Sequence, residues 1–551
     1  MDKDSLKFLY SRFRDYKLHI ILAIVGSIIE ASSLAGLTYI VKEVIDKVFI
    51  DKDFEKLKLI LIVIFTLAIL KQIGFILKEY VFPYALYRVL KGLREEIFNK
   101  IVEGKYSAIQ SRQFGDIISR ASNDVEALRH SIILVGVDFI TQLFTAVAMV
   151  SVLVYRDYRL FLIFLVAAPI FALSFNYFGE KRKKYTQRVQ ESFGEYTQIV
   201  NQTLSGLETI KLFSKENIIF LFNRINENFF KNQRKNALYD VLYLSSLEIA
   251  SYIGIAGIIL YGGISIVEGR ITTGDLFSFL SALLILVNSL QIIQRGIMQI
   301  KVLSPVIHRI QSILNIEAEK QEGKPFSCLR EKIVFKDVSL LIRDKVILKD
   351  IDIEIRKGEK IGIVGHTGSG KSSFLKLVYG LYQDEYRGSI KIDGIELRDL
   401  NLNSYREKVG VVSQDVFMFN DTVRNNLLIA NPKADEEKIV KAILAAKADF
   451  VFQLPQGLDT VIGERGGVLS GGERQRVAFA RLYLKDPEIV ILDEGTSALD
   501  TTTEEEVMRE FYKYFKDRTV LIVAHRASTL RECNRIITFE NGRVSGEEKW
   551  V

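Results

Sequence analysis

Long apolar stretches crowd the first 300 residues of the chain, whereas the remainder alternates short apolar runs with polar segments. A helix needs about 20 apolar residues to cross a bilayer. Six stretches come close to that length, and we predict a membrane-spanning helix in each of them: His19–Val41, Lys58–Tyr80, Ser131–Val154, Leu160–Phe178, Val241–Val267 and Leu276–Ile293.

The connections between these stretches alternate in length and in charge. Val81–His130 and Gly179–Asp240 are long and rich in Lys and Arg, whereas the other three connections are short. Because an excess of Lys and Arg marks the cytoplasmic side, both long connections and both termini are predicted to lie inside. Helical periodicity in the long connections predicts that the membrane helices continue into the cytosol. Leu6, Leu9 and Phe13 recur at helical spacing and predict an amphipathic helix along the inner surface.

A charged segment that ends in helix breakers, Glu317–Pro325, marks the change between the two halves. We predict a transmembrane domain over residues 1–315, a linker over 316–332 and a second domain over 333–551. In the second domain strands and helices alternate, as a parallel α/β sheet requires.

Composition supports this division. Hydrophobic residues make up 48% of the chain and charged residues 26%, which is compatible only if the two kinds are segregated. Basic loops beside a membrane explain the net charge of +7 more simply than a nucleic-acid partner does. No nucleic-acid partner is therefore expected. Cys328 and Cys533 are the only cysteines, so no disulfide framework is expected and a reducing cytosol fits. The charged first 17 residues lead into an apolar helix with no small-residue cleavage site, so no secretory signal is expected.

A glycine-rich motif carries the first chemistry. The apolar strand Ile361–Val364 is followed by G-x-x-x-x-G-K-S and then by a predicted helix, Ser373–Tyr379. In that context the backbone N–H groups of the loop turn toward phosphates, Lys371 reaches the β- and γ-phosphates, and the Ser372 hydroxyl ligates Mg²⁺. The predicted phosphate contacts are Gly365, His366, Thr367, Gly368, Ser369, Gly370, Lys371, Ser372 and Ser373.

Two further segments complete the candidate chemistry. The apolar strand Ile489–Leu492 ends in Asp493, which suits Mg²⁺, and Glu494, which can polarise a water for attack on the γ-phosphate. Leu469–Glu473 places a serine and two glycines at a helix start, which favours a second anion site. Since the phosphate loop already binds the phosphates of its own chain, the second site points to another copy of the chain.

With these motifs in this order, the chain resembles an ATP-binding-cassette half-transporter of the exporter type. The resemblance implies a six-helix all-α transmembrane domain fused to an α/β P-loop ATPase domain, with ATP and Mg²⁺ as cofactors. It implies that Gln414 contacts Mg²⁺ and senses the membrane domain, and that His525 is the switch histidine beside the γ-phosphate. It assigns a signature motif to Ser470, Gly471, Gly472 and Glu473, and a D-loop to the segment that ends at Asp500.

The resemblance extends to the membrane half. Phe114–Arg120 with Asn123-Asp124, and Leu204–Lys211, look like the two intracellular loops whose short coupling helices dock on the ATPase domain. We expect them near Gln414 and the segment around Glu464.

Three positions depart from the family's usual pattern. Ile342 stands where an aromatic residue normally stacks on adenine, so we expect Ile342 to pack on the purine without the aromatic platform and ATP to bind more weakly. Glu473 replaces the commoner Gln, and Gly495 replaces Ala after the catalytic Glu.

The resemblance implies ATP-driven export or flipping of a hydrophobic or amphipathic substrate (a lipid, a glycolipid or a drug) across the cytoplasmic (inner) membrane. The alternative is a membrane ATPase that gates or regulates a partner without carrying a substrate. Because no catalytic position is degenerate, the chain is a homodimer or the competent half of a heterodimer.

Polar residues inside the predicted spans either line a translocation cavity or bond between helices. The residues concerned are Glu30, Asp138, Asn288, Gln291 and Arg295. Arg295 lies about 30 Å beyond the outer end of its helix. That distance puts it near the inner surface, where an anionic lipid headgroup could meet it.

Overall fold

The computed structural model of the chain describes residues 1–112, 114–213, 215–342, 345–524 and 526–549. For residues 166–176, 247, 250 and 527 it describes the backbone alone. By contacts between residues, the chain separates into two compact units: residues 1–94 with 120–311, and residues 95–119 with 312–551.

The first half of the chain is helical. Its helices are α1 (Lys3–Phe13), α2 (Lys17–Glu43), α3 (Phe54–Glu103), α4 (Tyr106–Gln110), α5 (Phe114–Ala121), α6 (Asn123–Ile133), α7 (Ile140–Arg156), α8 (Tyr158–Ser205), α9 (Leu207–Phe213), α10 (Lys215–Val267) and α11 (Thr273–Leu314). π-helical turns, Val44–Ile50 and Leu134–Phe139, extend α2 and join α6 to α7.

Five helical segments among the described residues are long and apolar enough to cross a membrane. They contain five of the six predicted spans: Lys3–Ile50, Phe54–Glu103, Phe114–Arg156, Lys215–Val267 and Thr273–Leu314. The predicted span Leu160–Phe178 falls within α8, where the side chains of residues 166–176 lie outside the described part. α3, α8 and α10 run 50, 48 and 53 residues, which confirms that the helices continue well beyond a bilayer's thickness.

α2 and α3 cross closely because glycines face each other. A Cβ atom on Gly26 would lie 2.7 Å from the carbonyl oxygen of Gly74, and the converse distance is 2.6 Å. Near this crossing the Lys78 ammonium lies 3.0 Å from the Glu30 carboxylate, and both side chains are largely buried. Glu30 therefore has a charged partner on the neighbouring helix, as an ion inside a membrane requires.

Two sheets organise the second half of the chain. The strands are β1 (Lys332–Ile342), β2 (Lys345–Arg356), β3 (Lys360–Gly365), β4 (Tyr386–Ile392), β5 (Ile395–Glu396), β6 (Val409–Val412), β7 (Ile489–Asp493), β8 (Thr519–Val523), β9 (Arg535–Glu540) and β10 (Arg543–Lys549). The larger sheet has the order β10-β9-β3-β8-β7-β6, parallel throughout except for β10. β2-β1-β4-β5 form a separate antiparallel sheet. The prediction of a parallel sheet alone was therefore incomplete.

Helices cover the large sheet and complete its two apolar cores. They are α12 (Lys371–Val378), α13 (Leu402–Glu407), α14 (Val423–Leu428), α15 (Glu436–Ala445), α16 (Gly471–Lys485) and α17 (Thr501–Tyr514). One core lies under α16 and α17 around Phe479 and Phe511, and the other lies between the two sheets around Phe335 and Phe374. The predicted order of a helical domain followed by an α/β domain is confirmed.

Candidate nucleotide site

The phosphate loop turns sharply between β3 and α12, which begins at Lys371 and not at the predicted Ser373. Gly365, Gly368 and Gly370 have φ values of 149°, 82° and 105°, a region that residues with a Cβ atom rarely occupy. A Cβ atom on Gly365 would also lie 2.3 Å from the carbonyl oxygen of Phe539. The glycines are therefore required by the path of the backbone.

Inside this loop the polar side chains are buried. The Lys371 ammonium donates to the carbonyl oxygens of Gly365 at 2.7 Å and of His366 at 3.0 Å. The Ser369 hydroxyl is buried and has no hydrogen-bond partner among the residues that the structure describes. A buried hydroxyl without a partner inside a loop of this shape fits a phosphate oxygen as its acceptor.

The predicted metal ligands meet beside the loop. The Ser372 hydroxyl lies 3.5 Å from the Asp493 carboxylate at the end of β7. Burial raises the pKa of Asp493, and the Glu494 charge beside it acts in the same direction. A hydroxyl and a carboxylate at one point are hard oxygen donors, the kind that Mg²⁺ prefers.

Gln414 and Glu494 meet at the same edge of the sheet. The amide of Gln414 donates to the Glu494 carboxylate at 2.7 Å. Glu494 has a positive φ of 50°, and its backbone N–H donates to the carbonyl of Val523 at 2.9 Å. The sheet thus brings Lys371, Ser372, Gln414, Asp493 and Glu494 into one group. His525 lies outside the described residues.

The signature residues form a second group at the start of α16. Ser470 is the N-cap: its hydroxyl accepts from the Glu473 N–H, and the Glu473 carboxylate accepts from the Ser470 N–H at 2.7 Å. This capping box gives the departure at Glu473 a structural use, which Gln could also serve. Gly471 and Gly472 pack against Ala498 of the D-loop.

Two buried side chains that the sequence analysis did not single out fix the D-loop. Gln475 accepts from the Ala498 N–H at 3.0 Å and donates to Ser497. Glu504 accepts from Thr496, while the Asp500 side chain caps α17 through the Thr503 N–H. Gln475 and Glu504 lie on the inward faces of their helices. Their spacing relative to the apolar residues of those helices is the sequence feature that could have identified them as buried.

Ile342 ends β1 and is partly buried against the core between the sheets. The contact between Ile342 and the adenine base stays a prediction.

A cavity of about 1030 Å³ lies between the Gln414 segment and the start of α16. Its lining includes Glu464, Arg474 and, from the first intracellular loop, Phe114 and Ile118. Phe114 and Ile118 therefore lie beside Gln414 and Glu464, where this part of the first intracellular loop was expected. Within the other compact unit, Asp124 accepts two hydrogen bonds from Arg309 of α11, at 2.7 and 2.8 Å.

Comparison with known proteins agrees with this geometry. Residues 20–290 match the family model described as "ABC transporter transmembrane region", and residues 348–497 match the model described as "ABC transporter". The chain is 32% identical over 551 residues to an "ATP-dependent lipid A-core flippase" of Desulfotalea psychrophila, covering 99% of this chain and 96% of that protein.

A protein of the same name from Syntrophus aciditrophicus is 33% identical over 553 residues, covering 99% of this chain and 91% of that protein. The fold resembles that in "Structure of a bacterial Atm1-family ABC exporter with ATP bound", with a TM-score of 0.78, 23% identity, and coverage of 98% and 95% of the two chains. The chain therefore belongs to the ABC transporter family: it is a half-transporter of the exporter type, whose ATP-binding domain drives the movement of a substrate across a membrane.

Proposed function

We propose that this chain flips an anionic amphipathic lipid of the lipid A-core class across the cytoplasmic membrane. The observation that carries the proposal is similarity along 99% of the chain to two proteins named for that activity. Arg295, which is exposed on α11, supports it because a guanidinium pairs well with phosphate headgroups. The domain limits are proposed as in the sequence analysis: 1–315, 316–332 and 333–551.

The proposed chemistry follows from the group at the sheet edge. The phosphate loop and Lys371 bind and orient the triphosphate. Ser372 and Asp493, with Gln414, would hold Mg²⁺, which when bound supplies positive charge to the β- and γ-phosphate oxygens. Glu494 accepts a proton from the attacking water, and His525 is proposed to contact the γ-phosphate.

We further propose that two copies of the chain form the active unit. α9 supports this, because its Leu212 and Phe213 are 70% and 83% exposed, an unusual state for large apolar side chains in a cytosolic segment. The cavity beside Gln414 is proposed to receive α9 of the partner. Ser470 would then complete the nucleotide site of the partner.

A mixed dimer tests this assembly. With Lys371→Ala in one chain and Ser470→Arg in the other, both lesions fall in one composite site and the second site is intact. With both lesions on one chain, each composite site carries one. We expect the first arrangement to occlude about half the nucleotide of the wild type and the second to occlude almost none. Equal occlusion in the two arrangements would contradict composite sites.

Flipping itself is tested with purified protein in sealed liposomes that contain a fluorescent lipid A-core analogue. We expect ATP to move the analogue between leaflets, and Glu494→Gln to abolish that movement. A zwitterionic phospholipid analogue is the matched control for headgroup charge. ATP hydrolysis without movement of any lipid would instead favour the alternative, an ATPase that regulates a partner.

A further inference from the structure

The linker after α11 pairs with the chain that follows α3. Gly104 and Ala318 form an antiparallel bridge. A hydrogen bond flanks it on each side: Lys105 N–H to Glu317 C=O at 2.9 Å, and Glu319 N–H to Glu103 C=O at 2.8 Å. We call residues 103–105 and 317–319 the linker junction. Because α3 and α11 lead directly into it, the junction joins the cytoplasmic ends of two membrane helices.

The junction is tightly packed. A Cβ atom on Gly104 would lie 2.8 Å from the Ile316 side chain, which is itself buried, so glycine is needed for the close approach. The Lys105 ammonium lies 2.7 Å from the Glu317 carboxylate and 3.5 Å from the Asp384 carboxylate. The linker is therefore held in place and does not act as a free tether.

Glu319 connects the junction to the helix that follows the phosphate loop. Its carboxylate accepts two hydrogen bonds from the Arg406 guanidinium, at 2.5 and 3.1 Å. Arg406 also donates to the carbonyl oxygens of Tyr379 at 3.3 Å and Gly380 at 2.7 Å, directly after α12. The last carbonyls of a helix lack partners within it and carry its negative dipole end, so a guanidinium binds them well.

A second contact holds the first intracellular loop to the same end of α12. The rings of Tyr106 and Tyr382 meet edge to face at 5.7 Å, and the Tyr382 hydroxyl donates to Gln110 at 3.0 Å. The Lys376 ammonium, on α12 itself, lies 5.6 Å from the centre of the Tyr106 ring. Both strands of the linker junction are therefore attached to the carboxyl end of α12.

We propose that Glu319 and Arg406 are positioning residues that couple ATP hydrolysis to transport. α12 begins at Lys371 in the phosphate loop, and its eight residues form a rigid rod of about 12 Å. A displacement of the loop on hydrolysis reaches the carboxyl end of this rod, passes through Arg406 to Glu319, and moves α3 and α11 together. This route is separate from the Gln414 segment. It rests on the proposed lipid flipping, since that is the movement it would drive.

The pair suits this role because it is directional and partly shielded. The Glu319 and Arg406 side chains are 13% and 28% exposed. A bidentate guanidinium–carboxylate pair resists sliding as well as separation, unlike a single hydrogen bond. Neutralising Glu319 leaves Arg406 bonded to the carbonyls of Tyr379 and Gly380 but removes the charge by which the linker holds the guanidinium.

Glu319→Gln in the full chain, in liposomes with the lipid A-core analogue, is the test, and the readout is lipid flipped per ATP hydrolysed. We expect this ratio to fall at least threefold while basal hydrolysis stays within twofold of the wild type. Glu359→Gln is the matched control: Glu359 pairs with Arg535 at 3.1 Å in the same domain, at 18% and 16% exposure. A merely structural role would lower the melting temperature of both variants and change neither ratio, which would overturn the inference.

A cross-link tests the junction independently of the ion pair. Lys105→Cys with Glu317→Cys, in a Cys328→Ser background, should form a disulfide that leaves the flipping ratio equal to that of the reduced form. Loss of flipping that reductant restores would mean that the two strands must separate, and would overturn the junction as a single moving part. If the wild type hydrolyses ATP but flips no lipid, the proposed function fails and this inference fails with it. If the wild type flips lipid and Glu319→Gln has an unchanged ratio, the inference alone fails.

Discussion

Replacement of Glu504 by Gln tests how the loops at the carboxyl edge of the large sheet are held. The buried Glu504 carboxylate accepts from the Thr496 hydroxyl at 2.9 Å and from the Thr529 hydroxyl at 2.5 Å. Its second oxygen accepts from the Arg526 guanidinium. Thr496 follows β7, whereas Arg526 and Thr529 follow β8. The Glu504 carboxylate therefore joins the loop after β7, which contains the D-loop, to the loop after β8.

The Gln variant keeps one acceptor oxygen for the two threonines but turns an NH₂ group toward Arg526. The loss is therefore one hydrogen bond to a charged group, worth about 1.5–3 kcal/mol. Arg526 is 46% exposed, so water compensates part of this loss, and we expect about 1–2 kcal/mol. In a domain of this size that lowers the melting temperature by about 2–8 °C. Glu504→Ala removes both acceptor oxygens and all three hydrogen bonds, and should cost about 3–5 kcal/mol.

The pKa of Glu504 determines how the stability that its carboxylate contributes changes with pH. Burial alone would raise the pKa of Glu504, but the hydrogen bonds from Thr529, Arg526 and Thr496 outweigh it and lower the pKa. A carboxylate with a lowered pKa stabilises the folded state fully above its unfolded pKa of about 4.3 and loses that contribution as the pH falls through its folded value. The difference in melting temperature between wild type and variant should thus be constant between about pH 6 and about pH 8, and should shrink below about pH 4.

Scanning calorimetry of the full chain in detergent measures this directly, with Glu505→Gln as the control because Glu505 is exposed on the same helix. A Glu504→Gln melting temperature equal to that of the control would refute the reasoning. So would a difference that grows on acidification.

Three further predictions concern single side chains. Glu494→Gln retains an acceptor for the Gln414 amide but no general base, so ATP binding should persist while turnover falls by about 10²–10⁴-fold, as phosphate release would measure; near-normal turnover would remove Glu494 from catalysis. Ile342→Tyr should tighten ATP binding by about fivefold through stacking on adenine, with maximal turnover unchanged, in a nucleotide titration; unchanged affinity would mean that another residue occupies the stacking position. Burial raises the pKa of Cys533 to about 11, so a maleimide near pH 8 should label the half-exposed Cys328 first and Cys533 only on unfolding or at higher pH; labelling of both at equal rates would contradict the burial.

Local patterns were enough to predict the membrane helices and the phosphate loop. Span-length apolar runs have few alternatives to a membrane helix, and a strand followed by G-x-x-x-x-G-K-S constrains the backbone directly. The start of α12 was placed two residues late because Lys371 and Ser372 act both as loop residues and as its first turn. The meeting of Gln414 with Glu494 depended on the resemblance and not on spacing.

Non-local pairing could not be predicted in the same way. The antiparallel sheet depends on β1 lying between β2 and β4, and nothing local distinguishes its strands from those of a parallel sheet. Lys78 gave no signal as the partner of Glu30, since a lysine near the end of a span usually reaches the membrane surface. Arg406 donates to the backbone carbonyls of Tyr379 and Gly380 as well as to Glu319, and because every residue carries a carbonyl, those two partners leave no trace in the sequence.

The backbone at Glu494 shows why the local conformation of the site is hard to predict from the sequence. Most residues with a positive φ are Gly, Asp or Asn, which tolerate that conformation, but Glu494 has a φ of 50° and no such tolerance. A left-handed residue of this kind costs about 1–2 kcal/mol. Glycine at position 494 would remove this cost and the carboxylate with it. The hydrogen bonds from Glu494 N–H to Val523 and from Gln414 to its carboxylate hold the strained turn in place. The backbone preference of Glu therefore opposes the left-handed conformation that this site requires. A prediction from that preference alone would place the Glu494 carboxylate elsewhere.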